Sequence, residues 1–142
     1  MSSINTGKVI AGGLLAGVVL NVLDFANNAL VVGADFTANA TRLGLDPATL
    51  QAPAAIATWV VIDFLFGILL VWTYAAIRPR FGAGPKTAVL AALIPFIGIS
   101  LILFGLTQGG LFTTALYVKQ TVIAFFIVSI ASVAGAWTYK EA

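Results

Sequence analysis

"VIAGGLLAGVVLNVLDFANNALVV", Val9 to Val32, is apolar from end to end except for one aspartate and three asparagines. A helix rises about 1.5 Å per residue, so about 20 apolar residues cross a hydrocarbon core of about 30 Å. The run is therefore long enough to span a bilayer. Three more runs of this kind follow, Ala54 to Ile77, Ala88 to Leu106 and Ala115 to Trp137. Composition agrees, since 61% of the chain is hydrophobic and only 8% is charged, against about 25% charged in soluble domains. The chain reads as one membrane domain over 1–142, an all-α four-helix bundle with spans at about 9–32, 54–77, 88–106 and 115–137.

The few charges set an expected orientation. Lys8 precedes the first span, Arg78, Arg80 and Lys86 lie between the second and third, and Lys140 follows the fourth, whereas Arg42 stands alone in the long connection. Basic residues collect on the cytoplasmic side. That rule predicts an up-down-up-down bundle with both termini cytoplasmic. Trp72, Tyr74, Trp137 and Tyr139 then fall at the inner boundary, with Trp59 and Tyr117 near the outer one, where amphipathic rings settle. Arg78, Arg80 and Lys86 set topology and are candidates for contact with anionic lipid headgroups.

The connection 33–53, "GADFTANATRLGLDPATLQAP", alone has the grammar of a soluble protein. Asp35 suits the N-cap of a short amphipathic helix that Gly44 ends, and Asp46 before Pro47 suits the start of a second short turn. Pro79 and Pro85 are expected to end the second span and begin the third, with Gly82 and Gly84 making the reversal.

Several function classes are excluded by what is missing. The chain has no Cys and no His, which removes disulfides, thiolate metal sites, the usual haem ligands and every catalytic arrangement built on histidine. No nucleophile, metal cluster or phosphate loop accompanies the acids, so no enzyme activity and no cofactor or metal is expected. The basic residues form no groove-sized patch for nucleic acid.

What remains is a set of faces and a few polar groups inside the spans. Gly13, Gly17, Asn21, Asp24 and Asn28 recur at spacings of four and three on one stripe of the first span. Gly98 and Gly105 in the third span, and Ser132 beside Ser129 in the fourth, are further candidates for close helix packing. Asp63, in "VIDF", lies at a depth similar to Asp24 in "VLDF". Lys119, nearer the outer end of the fourth span, either reaches inward toward the two aspartates or snorkels outward. An ionised aspartate at the centre of a span costs about 2.5 to 3.5 kcal/mol on insertion scales, so Asn21, Asp24, Asn28, Asp63 and Lys119 are the candidate polar cluster. Protonation, hydrogen bonding by the carboxamides and pairing with the lysine are its three possible settlements.

The motifs "IAGGLLAGVVLNVLDF", "LGLDP", "YAAIRPRFGAGPKTA" and "AGAWTYKE" together resemble a group of small bacterial four-helix inner-membrane proteins with no assigned function. The resemblance covers most of the chain and implies architecture and a bacterial cytoplasmic membrane, not a mechanism. Three readings of function follow, the first the one the residues favour and the other two its alternatives. One is an accessory, assembly or structural subunit of a membrane complex, whose polar cluster fixes helix packing and whose partners are lipid and other membrane subunits or further copies of itself. Another is an ion- or proton-coupled carrier or channel using Asp24 and Asp63. The last is binding of a lipid or a small lipophilic ligand.

Overall fold

The computed structural model describes residues 3–141. In chain order it holds α1 (Thr6–Asn27), a π-helical turn (Asn28–Val32), α2 (Gly33–Arg42), a 3-10 turn (Pro47–Gln51), α3 (Pro53–Phe81), α4 (Pro85–Gln108) and α5 (Thr114–Thr138). Four helical stretches, Thr6–Arg42, Pro53–Phe81, Pro85–Gln108 and Thr114–Thr138, are long and apolar enough to cross a membrane. Their outward faces fit that solvent. Phe25, Leu30 and Trp137 are 77%, 82% and 88% exposed, and apolar surface on this scale is stable against lipid tails but not against water.

Local chemistry accounts for most helix ends. The Asn5 side chain accepts the Lys8 N–H at 3.1 Å, and Thr113 Oγ1 accepts the Leu116 N–H at 3.2 Å, so each fills a donor that the first turn leaves open. Proline opens α3 and α4, where a missing N–H costs nothing. Asp46 Oδ1 accepts the Ala48 N–H at 3.0 Å with Pro47 behind it, the start expected from "LDP". Gly44, at φ +72°, closes α2.

Two expected boundaries move. The first span does not stop at Val32, because the π-turn carries the helix on into α2. In that wide turn the Gly33 N–H donates to the Asn28 carbonyl five residues back, and a Cβ on residue 33 would press on the same carbonyl oxygen. Glycine is what lets the turn close. Asp35 thus sits in the first turn of α2 and caps nothing there. The second boundary is Pro79, which lies inside α3. It removes one N–H from the last turn only, and the helix ends where Gly82 takes φ +83°.

In cross-section α1 packs against α3 and α5, and α4 packs against the same two. The core between them is made of small and medium side chains, among them Ala16, Leu20, Leu70, Val71, Ala88 and Ala131. Two seams of glycine bring backbones together. A Cβ at Gly12 would lie 2.6 Å from the Gly135 carbonyl oxygen, and one at Gly135 2.7 Å from the Gly12 oxygen. The α1–α3 seam is tighter still and positions the site described below. On the other side of the bundle Ser132, fully buried, donates to the Ala88 carbonyl at 2.7 Å. Ser132→Ala should lower stability by about 0.6 to 1.7 kcal/mol, the range found for hydrogen bonds between membrane helices. Reversible unfolding in mixed detergent micelles reads this directly, and an unchanged midpoint would show the bond to be idle.

Candidate functional site

Asp24 and Asp63 are brought together by glycine. A Cβ at Gly13 would lie 2.5 Å from Ile68 Cα, one at Gly17 2.8 Å from Phe64 Cα, and one at Gly67 2.5 Å from the Gly17 nitrogen. The α1 and α3 backbones therefore approach closely, with the Ile68 and Phe64 side chains laid against the glycines. Further along, Asn21 continues the pairing, donating to the Val60 carbonyl at 3.4 Å and to the Gly17 carbonyl at 2.9 Å. Every Cα–Cβ bond in a helix tilts toward its own N-terminus. Asp24 leans back toward Asn21 and Asp63 leans back toward Val60, and since Asn21 and Val60 are paired, the two carboxyl groups converge.

The two carboxyl groups face one another across the α1–α3 interface, close enough to interact. Both residues are partly buried. Among the described residues the two ion pairs are Lys119 with Asp35 and Arg78 with Glu141. No lysine or arginine among them bridges to Asp24 or Asp63. The two acids therefore face each other without a basic partner, in a part of the chain where charge is costly.

On its α5 side the same helix carries a second polar contact. Asn27, 7% exposed, donates from Nδ2 to Gln120 Oε1 at 3.0 Å. Its own Oδ1 is buried with no donor in reach, a state that costs about 1 to 3 kcal/mol. Four residues on, at the π-turn, Lys119 Nζ donates to the Val31 carbonyl at 3.1 Å and pairs with Asp35 Oδ2 at 2.6 Å. Arg42 closes this end, donating from Nη2 to Asn39 Oδ1 and the Gly110 carbonyl, both at 2.8 Å. A cleft of about 240 Å³ opens there, lined by Asp35, Asn39, Arg42 and Lys119 with Ala38, Thr113, Ala115 and Leu116.

Asn21, Asp24 and Asp63 are accordingly grouped, and two other members of the expected cluster lie elsewhere. Asn28 is exposed and opens the π-turn, while its neighbour Asn27 takes the buried position. Lys119 neither meets the aspartates nor runs free; it is engaged by Asp35 and the Val31 carbonyl. Both side chains of that ion pair are more than 40% exposed, so Lys119→Ala should cost less than about 1 kcal/mol. A thermal midpoint in detergent that collapses on this substitution would show the pair to hold the π-turn itself. Of the glycines, Gly13 and Gly17 lie in the α1–α3 seam, whereas Gly98 and Gly105 face open space with no atom within 4 Å of a built Cβ. Arg78 is turned inward, 5.6 Å over the Tyr139 ring and 3.4 Å from Glu141, which leaves Arg80 and Lys86 as the exposed cations of that loop.

Gln120, Gly67 and Gly135 are the contributors that sequence reasoning does not mark. Gly67 and Gly135 stand among apolar residues and Gln120 stands between Lys119 and Thr121, and only the partner across the interface gives each its meaning. Comparison with family models, with curated proteins and with solved structures gives no match.

Proposed function

We propose that this is an integral membrane protein that binds and releases a proton at Asp24–Asp63 and works as a small proton-coupled carrier, with no enzymatic step. The observation that carries this reading is the placement of two partly buried carboxyl groups toward one another across the α1–α3 seam, with no basic residue paired to either. Register alone does not call for it. The glycine seam and the Asn21 bond to Val60 already fix how α1 and α3 meet, and two carboxyls add a cost of about 2.5 to 3.5 kcal/mol each whenever they ionise at mid-span. A group that is expensive to charge and built to hold a proton is suited to carrying one.

The proposed topology is up-down-up-down, with both termini on the cytoplasmic side of a bacterial inner membrane. The pairs Gly13–Ile68, Gly17–Phe64 and Asn21–Val60, with one number rising as the other falls, support the first part. Lys8, Arg80, Lys86 and Lys140, gathered at one end, support the second. In that frame α2 and its cleft face outward, and Arg80 and Lys86 lie among inner-leaflet headgroups. Proton flux into proteoliposomes, read with an enclosed pH dye, tests the function. It should fall in Asp24→Asn and in Asp63→Asn; equal flux in wild type and both variants would end the proposal.

A second reading is an assembly subunit, and one observation favours it. Gly98 and Gly105 stand on the exposed side of α4, where each costs about 1 kcal/mol of helix stability relative to alanine and gains no contact within the chain. A neighbouring subunit or a second copy would repay that cost. Co-purification with a larger assembly in mild detergent supports this reading, and a monomer that is stable alone counts against it.

A further inference from the structure

We propose that the carboxyl pair exchanges its proton with the α2 end of the bundle through Asn27 and Gln120, and is closed off from the opposite end by the glycine seams. This rests on the reading of Asp24–Asp63 as a proton site and adds its route and sidedness. Along α1, Asn27 is the neighbour of Asp24 three residues on, turned toward α5 where Asp24 is turned toward α3, and the Val31 carbonyl and Asp35 follow at spacings of four, so polar groups lead from the cleft to the edge of the pair.

Asn27 is the step between. Its Nδ2 is committed to Gln120, and its Oδ1 is a buried acceptor without a donor. Buried oxygens of this kind are met by water, which needs two to four polar partners. Gln120, Asn27 Oδ1 and the carboxyl pair one turn further on can supply them. Proton relays inside membranes are built from such alternations of carboxyl groups and polar side chains. Toward the chain termini the surroundings change. Beyond Asn21 come Gly17, Gly13 and Gly67 with their backbones in contact, and Leu20, Leu70 and Ala131 are at most 2% exposed. No polar side chain interrupts that stretch of the α1–α3 seam, and its atoms leave no width for water.

The charged groups around the route lie at its mouth. They are Asp35 and Arg42 on α2 and Lys119 on α5. The charges of α3 other than Asp63, Arg78 and Arg80, are at the far end, as is Lys86 of α4.

Infrared hydrogen–deuterium exchange of the protein in nanodiscs tests the route. The carboxyl C=O band is assigned as the one lost in Asp24→Asn or Asp63→Asn, and its downshift is timed after transfer to D₂O. Asn27→Leu and Gln120→Met are each expected to slow the downshift at least about tenfold while the band position before transfer stays where it is in wild type. Asn27→Ser, which keeps a polar group, should restore most of the rate. Gln120 is only half-buried, so Gln120→Met keeps the test available where Asn27→Leu does not fold. Exchange as fast as wild type in both variants overturns the route. Absence of any carboxyl band sensitive to Asp24 and Asp63 overturns the proton site itself, a distinct result.

Discussion

Gly67→Leu is expected to abolish the folded monomer in mild detergent, with a loss of about 3 kcal/mol or more. Overpacking a membrane or soluble core with extra methylenes costs typically 1 to 3 kcal/mol, because neighbouring side chains can rotate away. At Gly67 the neighbours are backbone. A Cβ there lies 2.5 Å from the Gly17 nitrogen and presses on the Gly13 carbonyl, and neither atom can move unless α1 and α3 separate. Separation removes the closest interface in the bundle and the Asn21 bond to Val60, and parts Asp24 from Asp63, in one step. Gly98→Leu is the matched control. Its Cβ meets nothing within the chain, and replacing an exposed helical glycine should leave stability unchanged or raise it by up to about 1 kcal/mol. Unfolding in mixed micelles compares the two, and a Gly67→Leu protein as stable as wild type would mean that the seam does not hold the fold. Should Gly98→Leu instead break a larger assembly while the monomer stays folded, α4 is a subunit contact.

The contrast between those two glycines shows what the sequence carried and what it did not. Apolar length alone placed four helices, since a run of twenty such residues has few other uses. Gly13 and Gly17 were legible because they fall on a stripe with Asn21 and Asp24, and "LDP" was legible because Asp and Pro each have one strong use at a helix start. Gly98 and Gly105 had the same appearance as Gly13 and Gly17, yet one pair meets α3 and the other meets nothing. Periodicity gives the face of a helix, not what lies opposite it. The π-turn was hidden for a similar reason. "NNALVVG" reads as polar residues and glycine at the end of a span, and the single extra residue that keeps the helix going leaves no mark in a pattern counted in turns of 3.6. Asn27 and Asn28, adjacent in sequence, consequently part company, one buried against Gln120 and the other exposed. Asp24 and Asp63 could be set at similar depth from their positions, but their contact depends on the touching backbones of α1 and α3, which only the seam partner Gly67 explains.

Asp24→Asn and Asp63→Asn should each cut proton flux by about a hundredfold, the lower end of what a positioned proton-transfer group contributes, while leaving the fold nearly intact. The two effects separate because an asparagine keeps the shape and one of the hydrogen bonds. Its Nδ2 donates to the carboxyl that remains, so the α1–α3 contact stays satisfied, but an amide cannot hand a proton on. The double variant Asp24→Asn/Asp63→Asn sharpens the distinction. It removes both acids, so flux should be no higher than in empty liposomes, and it removes the cost of ionising them in a low-dielectric setting, so the unfolding midpoint should match or exceed wild type. If the pair serves helix register, the opposite ordering is expected. Stability would then fall with the carboxyl contact, and liposome flux would be the same with and without it. Wild-type protein that conducts no protons in either direction, with all three variants equally silent, would leave the pair as a packing device and favour the exposed face of α4 as the functional surface.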